Sequence, residues 1–175
     1  LERYRPRPGP VRLLDAGCGT GGALAHYLAG QGIGFGCDVA PEALRYARRR
    51  RLERLALASV TQLPYTDGVF DVVTSFDVLY EQAVVDDGAA LREMARVLRA
   101  GGVLLARVPA HDWLRGQHDR ATHTARRYAA STVRKLVAQT GLRLTHLTYA
   151  NSLLFVPVAT KRLLERLAPP PSTTS

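Results

Sequence analysis

Asp15 stands two positions before a cluster of glycines, Gly17, Gly19, Gly21 and Gly22, with Cys18 and Thr20 between them. Glycine permits a tight turn and lets backbone N–H groups come close to a ligand at the positive end of a following helix, which suits a nucleotide-like cofactor. Gly17, Gly19 and Gly22 satisfy G-x-G-x-x-G by spacing, and Asp38 follows where a ribose ligand would stand. That spacing alone does not choose between cofactors. Asp15 does, because a carboxylate there disfavours a pyrophosphate and suits a ligand with a cationic amino group. S-adenosyl-L-methionine carries an ammonium and a sulfonium and no phosphate, so charge favours it over NAD.

A second group of chemistry-bearing residues lies further along. His111, Asp112, His118, Asp119, His123, Arg126, Arg127 and Tyr128 fall in one polar stretch. Histidine titrates near neutral pH and is the usual general base for a hydroxyl or amine nucleophile. His118 and His123 are the candidates for a base or substrate ligand; the alternative is that His–Asp hydrogen bonds merely fix the loop. Arg126 and Arg127 would favour an anionic acceptor. No cysteine joins these residues and their spacing is not a metal-ligand pattern, so no metal is expected.

The elements that must position these groups follow from the apolar pattern. Residues 1–10, with three Pro and three Arg, read as a linker. Val11 to Ala16 is a first strand, followed by the glycine turn and a helix over Ala23 to Ala29. Ile33 to Val39 is a second strand; Pro41 then suits a first helical position, opening a helix that runs to about Arg51. Further strands are expected at Leu55 to Val60, Val69 to Ser75, Val103 to Val108 and Leu142 to Tyr149. Leu91, Met94 and Leu98 form the stripe of a helix ending at Gly101 and Gly102. Ser131 can cap a helix carrying Val133, Leu136 and Val137, and Leu153 to Leu167 is expected to be helical around Pro157. Strands alternating with helices predict an α/β fold: a Rossmann-like, doubly wound, mostly parallel sheet flanked by helices. The domain spans residues 11–168, and 169–175 is a low-complexity tail. In such sheets ligands bind at the carboxyl ends of the strands, where the polar stretch after the fifth strand also lies.

The segment LLDAGCGTGG (14–22 with Leu13) resembles the first motif of the class I SAM-dependent methyltransferases. Leu63-Pro64-Tyr65 with Phe70-Asp71-Val72-Val73 is similar to that family's stretch leading into strand 4, and Arg96 to Gly102 resembles its turn before strand 5. The resemblance covers about Val11 to Tyr149. It implies S-adenosyl-L-methionine as cofactor and S-adenosyl-L-homocysteine as product. Asp15, Gly17, Gly19 and Gly21, with Cys18 and Thr20, would line the methionine end. Asp38 would take both ribose hydroxyls, and Val39 would pack on adenine. Ser59 stands where many relatives have an Asp, and it and Val60 would contact the adenine edge. Phe76 would sit near the methyl group. The string GQHDRATHTARRY, with Tyr149 to Phe155, is similar to a bacterial subgroup. The resemblance also implies an N-terminal helical lid and a seventh, antiparallel strand, neither of which is legible in these residues.

Composition bounds the alternatives. There are 175 residues, 46% of them hydrophobic and 22% charged, which suits one globular domain. The longest apolar run, Leu153 to Ala159, is far below the roughly 18 residues of a spanning helix. Cys18 and Cys37 read as packed, reduced thiols, consistent with a cytoplasmic setting. The 24 Lys and Arg against 15 Asp and Glu give +9. That charge, with Arg48 to Arg51 on the second helix, raises a nucleic-acid substrate. Against it, Ser75-Phe76-Asp77 after strand 4 is not the motif of enzymes that methylate base amino groups. The segment Asn151 to Leu167 mixes apolar and basic residues, as a peripheral membrane contact for a lipid-linked acceptor would. The expected activity is methyl transfer to O or N of a small-molecule acceptor, including a glycan or lipid-linked one. The alternatives are an RNA or other nucleic-acid methyltransferase and a non-catalytic SAM-binding domain.

Overall fold

A computed structural model describes residues 10–26, 28–111 and 124–149. Its centre is β1 (Val11–Ala16), buried on both faces except at Arg12. Leu14 and Ala16 point into one core and Val11 and Leu13 into the other, the period-2 alternation of a strand covered on both sides. β2 (Gly32–Asp38) and β3 (Leu55–Leu57) continue the sheet on one side, β4 (Phe70–Phe76) and β5 (Leu98–Arg107) on the other. The order is β3-β2-β1-β4-β5, and every ladder is parallel. The chain therefore reverses its direction of progress between β1 and β4, which opens a crevice at their carboxyl ends.

The helices are set by local signals. α1 (Gly22–His26) follows the glycine turn and buries Leu24. α2 (Pro41–Arg49) starts at the expected proline and buries Leu44 and Ala47. α3 (Asp87–Val97) is capped by Asp86, whose side chain accepts from the Ala89 amide at 2.8 Å, and buries Leu91, Met94 and Val97. α4 (Ala130–Ala138) packs Leu136 against the larger core.

Several boundaries differ from the sequence reading. α3 stops at Val97, and Leu98 is already extended and paired with Phe70. The register then jumps to Val72 with Val103, and Gly101, at φ +75°, turns the chain inside that irregularity rather than ending the helix. Arg48 and Arg49 close α2, but Arg50 is its C-cap and Arg51 has φ +61°, so the four arginines do not share one helix. β3 ends at Leu57; the Ala58 amide still donates to the Asp38 carbonyl at 3.0 Å, and residues 58–60 line the crevice. Ser131 lies inside the first turn of α4, whose N-cap is Ala129. Tyr128 forms a parallel bridge to Ala110, so the chain arrives extended and the helix begins one residue before the expected cap. Residues 142–149 form no strand, as no ladder partner lies among the described residues, and 145–149 are exposed. The linker through residue 9, the stretch Leu153 to Leu167 and the tail lie outside the described residues.

The sequence motifs also have architectural work. The Arg96 guanidinium pairs with Glu93 and Asp67 and donates to the carbonyls of Leu63 and Tyr65 at 3.1 and 2.8 Å. Glu93 in turn accepts from the Leu63 amide at 2.8 Å. This fastens the turn before β4 to α3. Asp71 accepts from the Arg12 amide at 2.7 Å and pairs with Arg99, tying the entry of β1 to β5. Phe35, Tyr65 and Phe70 stack edge to face over the buried sheet.

Candidate functional site

The turn after β1 is built on strand 2. The amides of Gly17 and Cys18 both donate to the Cys37 carbonyl at 2.9 Å, and the Gly21 amide donates to the Cys18 carbonyl at 2.8 Å. Gly17 has φ +82°, and a Cβ there would lie 2.3 Å from a Val78 methyl carbon. Gly21, at φ +75°, faces Leu52 and the start of the α2 contact, where a Cβ would come 2.3 Å from Leu52. A side chain at either position meets both backbone strain and a clash.

Two acids converge on this turn. The Gly19 amide donates to Asp38 Oδ2 at 2.8 Å and the Ala40 amide to Asp38 Oδ1 at 2.9 Å. A carboxylate has about four acceptor sites, so the Asp38 carboxylate is held from behind and keeps a free lone pair on each oxygen. Asp15 is 2% exposed, and the Thr74 hydroxyl donates to its Oδ1 at 2.7 Å. Burial pushes its carboxyl up to about 6, the Thr74 hydrogen bond pulls it partly back, and the charge of Asp38 adds to the rise. Burial likewise pushes the Cys18 thiol up to about 12 and the Cys37 thiol to about 11. Both are therefore protonated, free thiols that pack as small apolar groups.

Asp15, Gly17, Cys18, Gly19, Asp38, Val39, Ser59, Val60 and Phe76 line one cleft of about 330 Å³ at the carboxyl ends of β1, β2 and β4. Thr20 and Gly21 belong to the turn but not to the cleft wall, Gly21 being turned toward α2. The Ser59 hydroxyl is shared with Thr61 Oγ1 at 2.8 Å. His118 and His123 lie outside the described residues. The sequence reading missed the far wall, made by Val78, Glu81, Ala83 and Val84 after β4. The crevice position of that segment was its signal; its own residues carry no motif.

Phe76 and Asp77 close the end of β4. Arg107 stacks over the Phe76 ring at 5.7 Å and forms an ion pair with Asp77, whose amide donates to the Arg107 carbonyl at 3.1 Å. The cleft lining carries four carboxylates, Asp15, Asp38, Asp77 and Glu81, and no Lys, Arg or His among the described residues. Arg126 and Arg127 do not line it. Arg126 donates to the carbonyls of Leu79, Val84 and Val85, and Arg127 to that of Ala110. The lining of this cleft therefore lends no support to the expectation that the pair favours an anionic acceptor.

The residues fit S-adenosyl-L-methionine. Gly19 opens to free space at the cleft wall, Asp38 offers two unfilled acceptor positions for ribose hydroxyls, and the acidic lining suits a cation.

Residues 14–106 match the methyltransferase domain family. Over 95 residues the chain is 38% identical to the demethylmenaquinone methyltransferase of Mycolicibacterium gilvum, covering 54% of this chain and 40% of that protein. The chain spans 33% to 43% of the length of the curated relatives it matches. The solved cyclase SpnF is 27% identical with a TM-score of 0.68, covering 90% of this chain and 62% of that one. SAM-bound CalS10 of Micromonospora echinaspora, an amino pentose methyltransferase, is 34% identical with a TM-score of 0.53, covering 60% and 46%. With the parallel sheet, the cleft at its switch point and the matched motifs in place, this chain belongs to the class I SAM-dependent methyltransferases, whose cofactor is S-adenosyl-L-methionine.

Proposed function

We propose that this domain moves the methyl group of S-adenosyl-L-methionine to an oxygen or nitrogen nucleophile of a small-molecule acceptor. The observation that carries the reading is the Asp38 carboxylate, fixed by the Gly19 and Ala40 amides at the rim of an acidic cleft. When bound, the cofactor supplies an electrophilic methyl carbon on a cationic sulfur. The chain's part is to bind and orient. Asp38 accepts from the ribose hydroxyls, Asp15 faces the methionine end with its negative charge, and Val39, Ser59 and Val60 hold the adenine. Phe76, fixed by Arg107, excludes water beside the methyl group. The proton that the acceptor gives up on methylation would pass to a base on this chain. His118 or His123 is the proposed base.

The lining supports an uncharged or amine-bearing acceptor over an anionic one, since four carboxylates face the cleft. The likeness to an amino pentose methyltransferase agrees with that preference. A nucleic-acid substrate is less well supported, because Arg48 to Arg51 sit on and after α2 and line no part of the cleft. The likeness to a cyclase supports a second reading, a SAM-binding domain that transfers no methyl group.

Calorimetry with S-adenosyl-L-methionine, S-adenosyl-L-homocysteine and NAD separates these readings, followed by mass spectrometry of an acceptor panel of amines, sugars, phenols and carboxylates. Binding of the first two and methylation of a neutral or amine acceptor is expected. Binding of NAD alone would overturn the cofactor assignment, and tight binding with no methylated product across the panel would favour the second reading.

A further inference from the structure

The far wall of the cleft holds itself only in part: the Glu81 amide donates to the Val78 carbonyl at 2.9 Å and the Val84 amide to the Glu81 carbonyl at 3.0 Å, while the carbonyls of Leu79, Tyr80, Val84 and Val85 are met from elsewhere in the chain. Residues 78–85 run from the end of β4 toward α3 with no strand ladder beyond an isolated bridge at Glu81, and among them Val78, Glu81, Ala83 and Val84 line the cleft. Such a segment presents backbone carbonyls that need partners. For Leu79, Tyr80, Val84 and Val85 those partners come from residues 124–128, some 40 positions later in the chain. The Arg126 guanidinium reaches the carbonyls of Leu79 at 3.3 Å, Val84 at 2.7 Å and Val85 at 2.8 Å. Tyr128 is 4% exposed, and its hydroxyl donates to Asp87 Oδ2 at 2.8 Å, with the Leu79 carbonyl 3.0 Å away sharing the same proton. The Ala125 amide donates to the Tyr80 carbonyl at 2.8 Å, and Glu81 bridges to Thr124.

The geometry assigns Arg126, with Tyr128 in support, as the residue that positions the far wall of the cofactor cleft. One planar fork gathers carbonyls from both ends of the 79–85 stretch, which fixes its curvature rather than a single contact. The consequence reaches the glycine turn directly: Val78 is the side chain that Gly17 approaches so closely that a Cβ would lie 2.3 Å from it. A wall that loosens at Leu79 therefore moves the surface against which the turn is set. Arg126 touches no cleft space itself, so it acts through residues 78–85 and is a positioning residue.

The test uses Arg126→Met, which keeps the stem and removes the fork, Arg126→Lys, which keeps the charge, and Tyr128→Phe. Binding of S-adenosyl-L-homocysteine is measured by calorimetry, with peptide-level hydrogen exchange over residues 78–85 and over β1. Arg126→Met is expected to weaken binding about tenfold, a loss on the scale of one charged hydrogen bond, and to speed exchange over 78–85 while β1 stays protected. Arg126→Lys is expected to bind almost as weakly as Arg126→Met, since one ammonium cannot serve three separated carbonyls. Unchanged affinity and exchange in Arg126→Met overturns the assignment, as does full rescue by Lys, which would reduce the role to charge. If Arg126→Met does not fold, Tyr128→Phe decides: roughly threefold weaker binding with faster exchange over 78–85 supports the clasp, and wild-type behaviour overturns it. Failure of the unmodified protein to bind S-adenosyl-L-homocysteine overturns the cofactor reading of the cleft instead.

Discussion

The Gly19 amide donates to Asp38 Oδ2 at 2.8 Å, joining the turn after β1 to the end of β2. The same carboxylate accepts from Ala40 through its other oxygen. Asp38 thus sets the shape of the turn before any ligand arrives, and its outer lone pairs are aimed by the bonds made behind them. Preorganisation of this kind lowers the ordering cost of binding.

Asp38→Ala is expected to weaken S-adenosyl-L-homocysteine binding by roughly 100-fold, the scale of two charge-assisted hydrogen bonds. Asp38→Asn should fall nearly as far, because its amide nitrogen must face one of two backbone donors. Calorimetry on both variants checks this, with NAD as the control ligand. Retention of wild-type affinity in Asp38→Ala would remove the ribose assignment.

Gly17→Ala combines positive φ with a Cβ 2.3 Å from Val78. We expect a loss of roughly 2 to 5 kcal/mol, from αL strain of about 1–2 and overpacking of about 1–3. Adding Val78→Ala should recover the overlap but not the strain, so the double variant should be less destabilised than the sum of the singles. Urea unfolding of the four proteins in this cycle measures the coupling. Strict additivity would show that Val78 is not the obstacle.

The parallel, doubly wound sheet and the near wall of the cleft were legible because they rest on local signals. β1 and β4 are apolar runs buried on both faces, Pro41 opens a helix, and the glycine turn with Asp15 and Asp38 has a spacing tied to its chemistry. The end of α3 was not, since Leu98 suits a buried helix face and a strand equally, and only pairing with Phe70 decides. Likewise Arg126 reads as a cation for an anionic acceptor, and nothing local says that its partners are carbonyls of residues 79, 84 and 85. Long-range bonds to backbone leave no pattern in side-chain identity. The strand expected at 142–149 needs a neighbour, and its own residues cannot supply one.

Arg96→Ala should destabilise the protein through the turn at 63–67, where the Leu63 and Tyr65 carbonyls and Asp67 would lose the guanidinium donor that ties them to Glu93 on α3. The site is partly exposed, so solvent screens the ion pairs and the expected cost is about 2 kcal/mol. Arg96→Lys should recover less than half, because an ammonium lacks the fork that spans Glu93 and the Leu63 and Tyr65 carbonyls. Thermal unfolding with hydrogen exchange at the Leu63 amide tests it. Equal stability of the Lys variant and wild type would mean that charge alone holds this turn.

The Asp15 carboxyl, raised to about 6 from 3.8, links stability and binding in opposite senses. Between those two values the folded state holds the proton that the unfolded state has released, so stability falls as pH rises through the window and stays lower above it. The penalty above pH 6 is at most about 3 kcal/mol, from roughly 2.2 units at 1.36 kcal/mol each. Asp15→Asn keeps an acceptor for Thr74 and removes the ionisation, so it should be more stable than wild type at pH 8 and no more stable at pH 3. Its affinity for S-adenosyl-L-homocysteine, an ammonium-bearing ligand, should nonetheless fall. In wild type that affinity should drop about tenfold from pH 7 to pH 5 as the carboxylate protonates. Chemical denaturation and calorimetry across this range check both senses, and a variant that is stabilised at pH 8 while binding as wild type would separate Asp15 from the cofactor.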